Sequence, residues 1–337
     1  MRLPRLRMVS SAEPGWRRRR SGRGFSFVDQ HGNRLSDEDA ERCRLLVIPP
    51  AWEDVWICPR PNGHLQAVGT DAAGRRQYLY HEEWRRRRDE AKHDRVLQVA
   101  RRLPRARRVA EVHLRQDGMP YERVLATAFR LLDLGLFRVG GESYAEQNGS
   151  FGLATLRKQH VDLEPGRAVF DFPAKSGQQQ FIEVTDEAAL EAIRALRRRR
   201  GGGAELLAFR DGGRWRDVTS ADINTYIKDV VGDEFSAKDF RTWHATVIAA
   251  VLLAHANDAA ASASARRRAV PSIMRQVADQ LGNTPAVVRS SYVDHRVVDL
   301  YHQGVTIAPK FAGPVGAASV DLETRVRAER PVLKLLS

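Results

Sequence analysis

The stretch Leu281-Gly282-Asn283-Thr284-Pro285-Ala286-Val287-Val288-Arg289-Ser290-Ser291-Tyr292 reads as a helix stop, a polar turn, a new helix start and then a tyrosine. Gly282 suits the left-handed position that closes a helix, Thr284 caps the next one, and Pro285 fits its first turn. Asn283 is therefore expected on an exposed turn, with Tyr292 at or just past the end of a short helix over 285–291. A phenol carried there together with an amide supplies a nucleophile and a hydrogen-bond donor.

Working outward, Ser236-Ala237-Lys238-Asp239-Phe240-Arg241-Thr242-Trp243-His244 opens a helix over 236–256. Phe240, Trp243, Val247, Val251 and Ala254 form its buried stripe, while Lys238 and Arg241 share another face. A helix amino terminus with two cations on one side suits a phosphate, because dipole, backbone donors and guanidinium fork all favour negative charge there. Further helices are expected over 187–199, 219–231, 267–281 and 294–302. Val169-Phe170-Asp171-Phe172 and Gln180-Phe181-Ile182-Glu183-Val184 alternate around Pro173 to Gly177, which predicts a hairpin with Lys175 near its tip. Two amphipathic helices separated at Asp117-Gly118 precede it, and Arg138 follows the second of them.

The amino-terminal part reads differently. Residues 1–23 look like a basic, weakly ordered arm, and short strands near 25–27, 55–57, 64–68 and 76–80 predict a small β-rich domain. A charged helix over 82–102 then runs to Pro104. The expected fold class is α+β. It comprises an arm at 1–23, a β-rich domain with linker helix at 24–103, a larger mainly helical domain with a small antiparallel sheet at 104–312, and a tail at 313–337 that ends in a possible short helix.

The 337 residues include 55 Lys plus Arg against 42 Asp plus Glu, a net charge of +13. The excess is blocked into Arg17 to Arg20, Arg85 to Arg88, Arg197 to Arg200 and Arg266 to Arg268, runs that repel themselves unless solvated or facing phosphates. Nucleic acid is the partner this favours. Cys43 and Cys58 lack the paired spacing of a zinc site, so no metal is expected and both read as small core residues in a reducing compartment. Met1 to Arg7 has no apolar signal core, and Ala245 to Ala256 is too short and interrupted to cross a bilayer. A soluble, intracellular protein is expected.

Arg138, Lys175, Lys238-x-x-Arg241, Asn283 and Tyr292, in that order, resemble the catalytic array of type IB DNA topoisomerases, which share a scaffold with tyrosine recombinases. The resemblance extends to Ile48-Pro49-Pro50-Ala51-Trp52, Gly63-His64-Leu65-Gln66-Ala67, Arg76-Gln77-Tyr78-Leu79-Tyr80-His81, Phe137-Arg138-Val139-Gly140 and Gly152-Leu153-Ala154-Thr155-Leu156. It implies Tyr292 as nucleophile, Arg138 and Arg241 as clamps on the phosphoryl oxygens, Asn283 as a donor to one of them, Lys175 as proton donor and Lys238 as a possible second relay. A histidine often stands at the place of Asn283 in the family, and an amide cannot hold its positive charge. Gln77, Tyr78 and Tyr80 match positions that touch DNA, although on an ideal strand the two tyrosines share one face and Gln77 takes the other; core packing of either tyrosine is the alternative. His160 and His244 read as structural or groove-facing. The resemblance further implies a monomeric clamp on double-stranded DNA in the cytoplasm, at the bacterial nucleoid, without cofactor. A tyrosine recombinase would show His-x-x-Arg and a helical amino-terminal domain. A noncatalytic basic packaging protein would share the charge but not the ordered array.

Overall fold

A computed structural model describes residues 5–135, 137–259, 262–311 and 320–337. The first four residues of the expected arm, Leu136, and 312–319, where the expected tail begins, lie outside them. The chain divides into two compact units, Met1–Lys92 and His93–Ser337.

The first unit is a five-stranded sheet in the order β2-β1-β3-β4-β5, built from β1 (Trp16–Ser21), β2 (Gly24–Val28), β3 (Glu53–Ile57), β4 (Leu65–Thr70) and β5 (Arg76–Tyr80), with helix α1 (Asp37–Leu45) between β2 and β3. Ser36 caps α1 by accepting from Asp39 N, and the acidic first turn complements the helix dipole. Phe27, Ala40, Cys43, Ile48, Val55, Ile57 and Ala67 make the core. Strand β1 corrects the expected arm, since Arg17 to Arg20 is paired along β2, and Trp16 and Arg17 pair also with β3. Alternation explains it. Arg18 donates to the carbonyls of Ile48 (3.0 Å), Pro49 (3.1 Å) and Trp52 (2.6 Å), and its guanidinium lies 4.1 Å from the Phe25 ring centroid. A charge run that looks unfoldable in isolation is thus the hydrogen-bond partner of a loop.

Helix α2 (Glu82–Leu114) runs through Pro104 rather than stopping before it, and the boundary between the units falls inside it, not at 103. An interior proline costs about 3 kcal/mol. Val96, Leu97, Val99, Ala100, Leu103, Ala106, Ala110 and Leu114 are all buried on one stripe, and each large aliphatic contributes roughly 1.5–3 kcal/mol, so packing wins.

The second unit continues with α3 (Tyr121–Gly135), α4 (Glu142–Asn148), strands β6 (Val161–Glu164), β7 (Arg167–Pro173) and β8 (Gln179–Val184) in the order β6-β7-β8, then α5 (Glu187–Arg198) and the hairpin β9 (Ala208–Asp211) and β10 (Arg214–Asp217). Helices α6 (Ser220–Val231), α7 (Ala237–Ala259), α8 (Ala263–Leu281), α9 (Pro285–Ser291), α10 (His295–His302) and α11 (Leu322–Leu336) complete it. Helix α7 is the axis of this unit: Phe240, Trp243, Val247, Val251 and Ala254 are fully buried, and so are most residues between them. Truncating Trp243 to alanine would cost about 3–5 kcal/mol.

Helix α11 is part of this core. Arg325 donates to the carbonyls of Asp133 (2.7 Å) and Leu134 (2.9 Å) at the end of α3, and Arg107 bridges Asp133 and Glu329, each at 2.7 Å. His244 Nε2 stands 3.3 Å from Asp133 Oδ1. Cys43 and Cys58 are buried free thiols, and among the described residues no helix is long and apolar enough to cross a membrane.

Burial pushes the imidazoles of His160 and His244 below the usual value of 6.5; Arg157 adds to this at His160 and Arg325 at His244, where Asp133 opposes it. The unfolded chain then takes up protons at these sites at higher pH than the native chain, so stability is full above pH 6.5 and falls as pH drops below it. The urea midpoint is expected to be lower at pH 5.5 than at 7.5, and the difference to shrink in His244→Gln. Equal midpoints for the parent at the two pH values would refute this.

Candidate active site

The site grows from the end of α8. Leu281 is the last helical residue, and Gly282 adopts φ 58° and ψ 52° with its N–H bonded back to Ala278 and Asp279. The last carbonyls of a helix carry its negative dipole end and lack partners within the helix. Here they take guanidinium protons: Leu281 O accepts from Arg241 Nη2 at 2.7 Å, and Gly282 O accepts from Arg138 Nη2 at 2.6 Å. Arg138 Nη2 also donates to Asn283 Oδ1 at 2.8 Å, and the buried Asn283 Nδ2 has no hydrogen-bond partner among the described residues.

Each arginine is positioned by its own element. Phe137, fully buried, packs edge-on to Phe170 with centroids 5.0 Å apart and stacks on Phe172 at 6.2 Å, anchoring the exit from α3 immediately before Arg138. The next turn is held because Gly140, at φ 79°, meets Gly152 backbone to backbone: a Cβ on Gly140 would fall 2.8 Å from Gly152 Cα. Leu153 N and Ala154 N then donate to the carbonyls of Arg138 and Val139, both at 2.8 Å. On the other side, Ser236 N and Oγ donate to Asp239 Oδ2 at the start of α7, and Arg95 donates to Asp239 Oδ1 at 2.8 Å. Asn224 Oδ1 accepts from Ala237 N. This fixes the first turn that carries Lys238 and Arg241.

Tyr292 is the C-cap of α9, where the chain leaves helical geometry at φ −123° and ψ −41°; Thr284 caps the other end of that helix and Pro285 fills its first position. The phenol ring is half-buried, with the Arg241 guanidinium carbon 5.6 Å from its centroid. Arg138, Lys238, Arg241 and Tyr292 line one open cleft of about 400 Å³ with Val139, Gly140, Ser220, Asn224, Ser236 and Ala237. Burial lowers the proton affinity of the Arg241 guanidinium, the neighbouring Arg138 adds to this, and Tyr292 opposes it; Arg138 is lowered by burial as well. Guanidinium remains charged at neutral pH regardless. Two desolvated, preoriented cations beside a phenol form a place for a tetrahedral or trigonal-bipyramidal anion.

Lys175 does not line this cleft. It is exposed, in the tight turn Lys175–Gly177 that joins β7 to β8. The hairpin nevertheless leans on the α8–α9 turn, since a Cβ at Gly282 would fall 2.3 Å from Gln180 Nε2. His160 and His244 are buried away from the cleft: His160 Nδ1 accepts from Arg157 N at 3.1 Å, and His244 lies against Asp133. Residues that sequence reading missed are Ser220, Asn224 and Ser236 in the cleft wall and Asp239 beneath it; the one local signal was the Ser236–Asp239 capping pair. By spacing, His93, Asp294 and His295, or Asp133, His244 and Glu329, could hold a metal ion. In both groups the carboxylates are already gripped, Asp294 by Arg296 at 2.7 Å, and Asp133 and Glu329 by Arg107.

In the first unit, Tyr78 and Tyr80 do share one face of β5, their rings stacked at 6.2 Å and 17°. Neither belongs to the core, and Tyr78 is 49% exposed. Gln77 instead donates to Asp71 Oδ2 at 2.8 Å. The basic runs are partly structural: Arg86 and Arg87 grip Glu83, and the buried Arg199 donates to the carbonyls of Leu196 and Leu206.

Residues 81–306 match the family described as eukaryotic DNA topoisomerase I, catalytic core, and residues 24–71 match the bacterial DNA topoisomerase IB amino-terminal domain. The chain is 31% identical over 293 residues to the DNA topoisomerase 1B of Acanthamoeba polyphaga mimivirus, covering 84% of this chain and 86% of that one. It is 26% identical over 132 residues to the DNA topoisomerase 1B of vaccinia virus (strain Copenhagen), covering 39% of this chain and 40% of that one. With the DNA topoisomerase 1 of Schizosaccharomyces pombe it shares 30% over 133 residues, 39% of this chain and 15% of the other. These matches define the class of the chain as a DNA topoisomerase, an isomerase. The chain belongs to the type IB DNA topoisomerase family.

Gly282→Ala is expected to lower stability by about 1–2 kcal/mol, because alanine is disfavoured at that left-handed position and its methyl meets Gln180. Trimming the neighbour in Gly282→Ala/Gln180→Ala should recover only the contact part, read as a partial return of the urea midpoint.

Proposed function

We propose that the enzyme relaxes supercoiled double-stranded DNA by transient cleavage of one strand, with Tyr292 as nucleophile. The phenol oxygen bonds to a backbone phosphorus as the bond from that phosphorus to the 5′ oxygen breaks, leaving the strand joined to the protein through a 3′-phosphotyrosine. The free 5′ end rotates under torsion, and its hydroxyl then attacks the same phosphorus to reseal the strand and release the phenol. One phosphodiester replaces another at each step, so resealing requires neither ATP nor a metal.

The observation that carries this reading is the cleft in which two helix-anchored guanidiniums, Lys238 and the Tyr292 phenol converge. Arg138 and Arg241 are placed to neutralise the equatorial oxygens, where charge grows. The Asn283 Nδ2, without a partner among the described residues, has a proton to give to one of them. Lys175 is the proposed donor to the leaving 5′ oxygen, which as an alkoxide would leave poorly. Its exposed hairpin tip would reach the strand once DNA is bound, with Lys238 as a second donor in the cleft. Gln77, Tyr78 and Tyr80 are proposed to contact the duplex from the first unit, phosphate contacts giving affinity without reading sequence. A monomeric clamp acting at the bacterial nucleoid is the working form.

Relaxation of supercoiled plasmid in EDTA without ATP is expected for the parent and not for Tyr292→Phe. If both proteins only shift plasmid mobility, a packaging role replaces this reading; recombined products from two-site substrates would point to a recombinase. Lys175→Ala should cleave slower by roughly 10²-fold or more, the usual size of a general-acid contribution. A substrate with sulfur in place of the 5′ oxygen should restore its rate, because a thiolate leaves without a proton; unchanged slowness on that substrate would remove Lys175 from the acid role.

A further inference from the structure

Helix α7 carries two buried threonines on the side toward α9 and α10, Thr242 and Thr246, each 1% exposed. A hydroxyl so placed is costly unless bonded. Thr242 Oγ1 donates to Lys238 O at 3.2 Å, and Thr246 Oγ1 donates to Thr242 O at 2.9 Å, so the two step along the helix that carries Lys238 and Arg241. A hydroxyl has one proton and two lone pairs. With its proton directed to Thr242, Thr246 Oγ1 accepts from Asp294 N at 3.1 Å, while Tyr292 O lies 3.4 Å away. One oxygen of the arginine-bearing helix therefore stands between the carbonyl of Tyr292 and the amide two residues on.

That point lies between two helices. Tyr292 has already left helical geometry, and α10 does not begin until His295. Asp294 is itself held, its carboxylate capping α10 at Arg296 N and receiving the Arg296 guanidinium. Val293 N turns back to Val288 O at 3.0 Å. Thr246 links this fixed segment to α7.

We propose that Thr246 is a positioning residue of the strand-transfer reaction: its hydroxyl ties α7 to the exit of α9 and so sets the distance and angle between the Tyr292 phenol and the Arg241 guanidinium. The inference rests on the reading of Tyr292 as nucleophile. Thr246 is buried, so its part is in the rate of chemistry and not in duplex affinity.

The test uses the full chain and the variants Thr246→Val, which keeps the shape without the hydroxyl, Thr246→Ser, which keeps the hydroxyl, and Tyr292→Phe. Equilibrium duplex binding and single-turnover formation of the covalent protein–DNA adduct are measured below each variant's unfolding midpoint. Thr246→Val is expected to form adduct slower by roughly tenfold or more, since small misplacements of reacting groups have large rate effects, with affinity unchanged and Thr246→Ser close to the parent. A parental rate for Thr246→Val overturns the proposal, as does Thr246→Ser being equally slow, or affinity falling in step with rate. If valine prevents folding, Thr246→Ala takes its place, because it removes the hydroxyl without setting a methyl against the Asp294 amide; the same outcomes decide. Adduct from Tyr292→Phe would overturn the nucleophile assignment instead, which keeps the two failures apart.

Discussion

The site depends on the carbonyl end of one helix. Two guanidiniums brought together in a partly desolvated cleft repel each other; the proton affinity of Arg241 is lowered first by burial and then by Arg138 beside it. Leu281 O and Gly282 O, at the negative end of α8, offset that repulsion with one charge-assisted bond apiece, each contributing on the order of 1.5–3 kcal/mol. Gly282 matters here because its left-handed turn presents two successive carbonyls to side chains from two different elements. The arginines are thus oriented before any ligand arrives, which is the condition for electrostatic stabilisation without reorganisation.

The rest of the second unit serves that arrangement. The phenylalanine cluster around Phe137 and the contact of Gly140 with Gly152 hold one arginine from below. The capped first turn of α7 holds the other. Asn283 joins these parts, its oxygen restraining Arg138 and its nitrogen, under the proposed function, donating to the ligand. Asparagine suits this dual duty because it carries an acceptor and a donor on one planar group.

Much of this was legible in the sequence where signals are local. Asp186, Thr219 and Thr284 cap the helices they precede, and Gly282 ends α8, so α5, α6 and α9 and the end of α8 fall close to their expected places, while α8 starts four residues before the expected 267, capped by Ser262. Elements decided by distant partners were not legible. Strand β1 is an arginine run rescued by carbonyls more than twenty positions away in the chain, α2 passes through a proline because its apolar stripe continues, and β6, β9 and β10 are short strands whose pairing no local pattern announces. In the site, the residue types and their order could be read from the chain. The anchoring carbonyls could not, because main-chain atoms are the same at every position. Nor could the distance between the Lys175 turn and the cleft, which follows from how the hairpin leans on Gly282.

The contacts of α11 carry a consequence for biosynthesis. Arg325 and Glu329 meet partners around Asp133 and Arg107, some two hundred positions earlier in the chain. Until a ribosome has extruded that helix, Arg107 lacks Glu329, the last carbonyls of α3 lack the Arg325 guanidinium, and the apolar side of α7 that α11 covers stays wet. Contacts this far apart in sequence close late. The second unit therefore completes its core only after the arginine- and tyrosine-bearing segments have all emerged, so under the proposed function a half-synthesised polypeptide would be a poor strand-cutting agent.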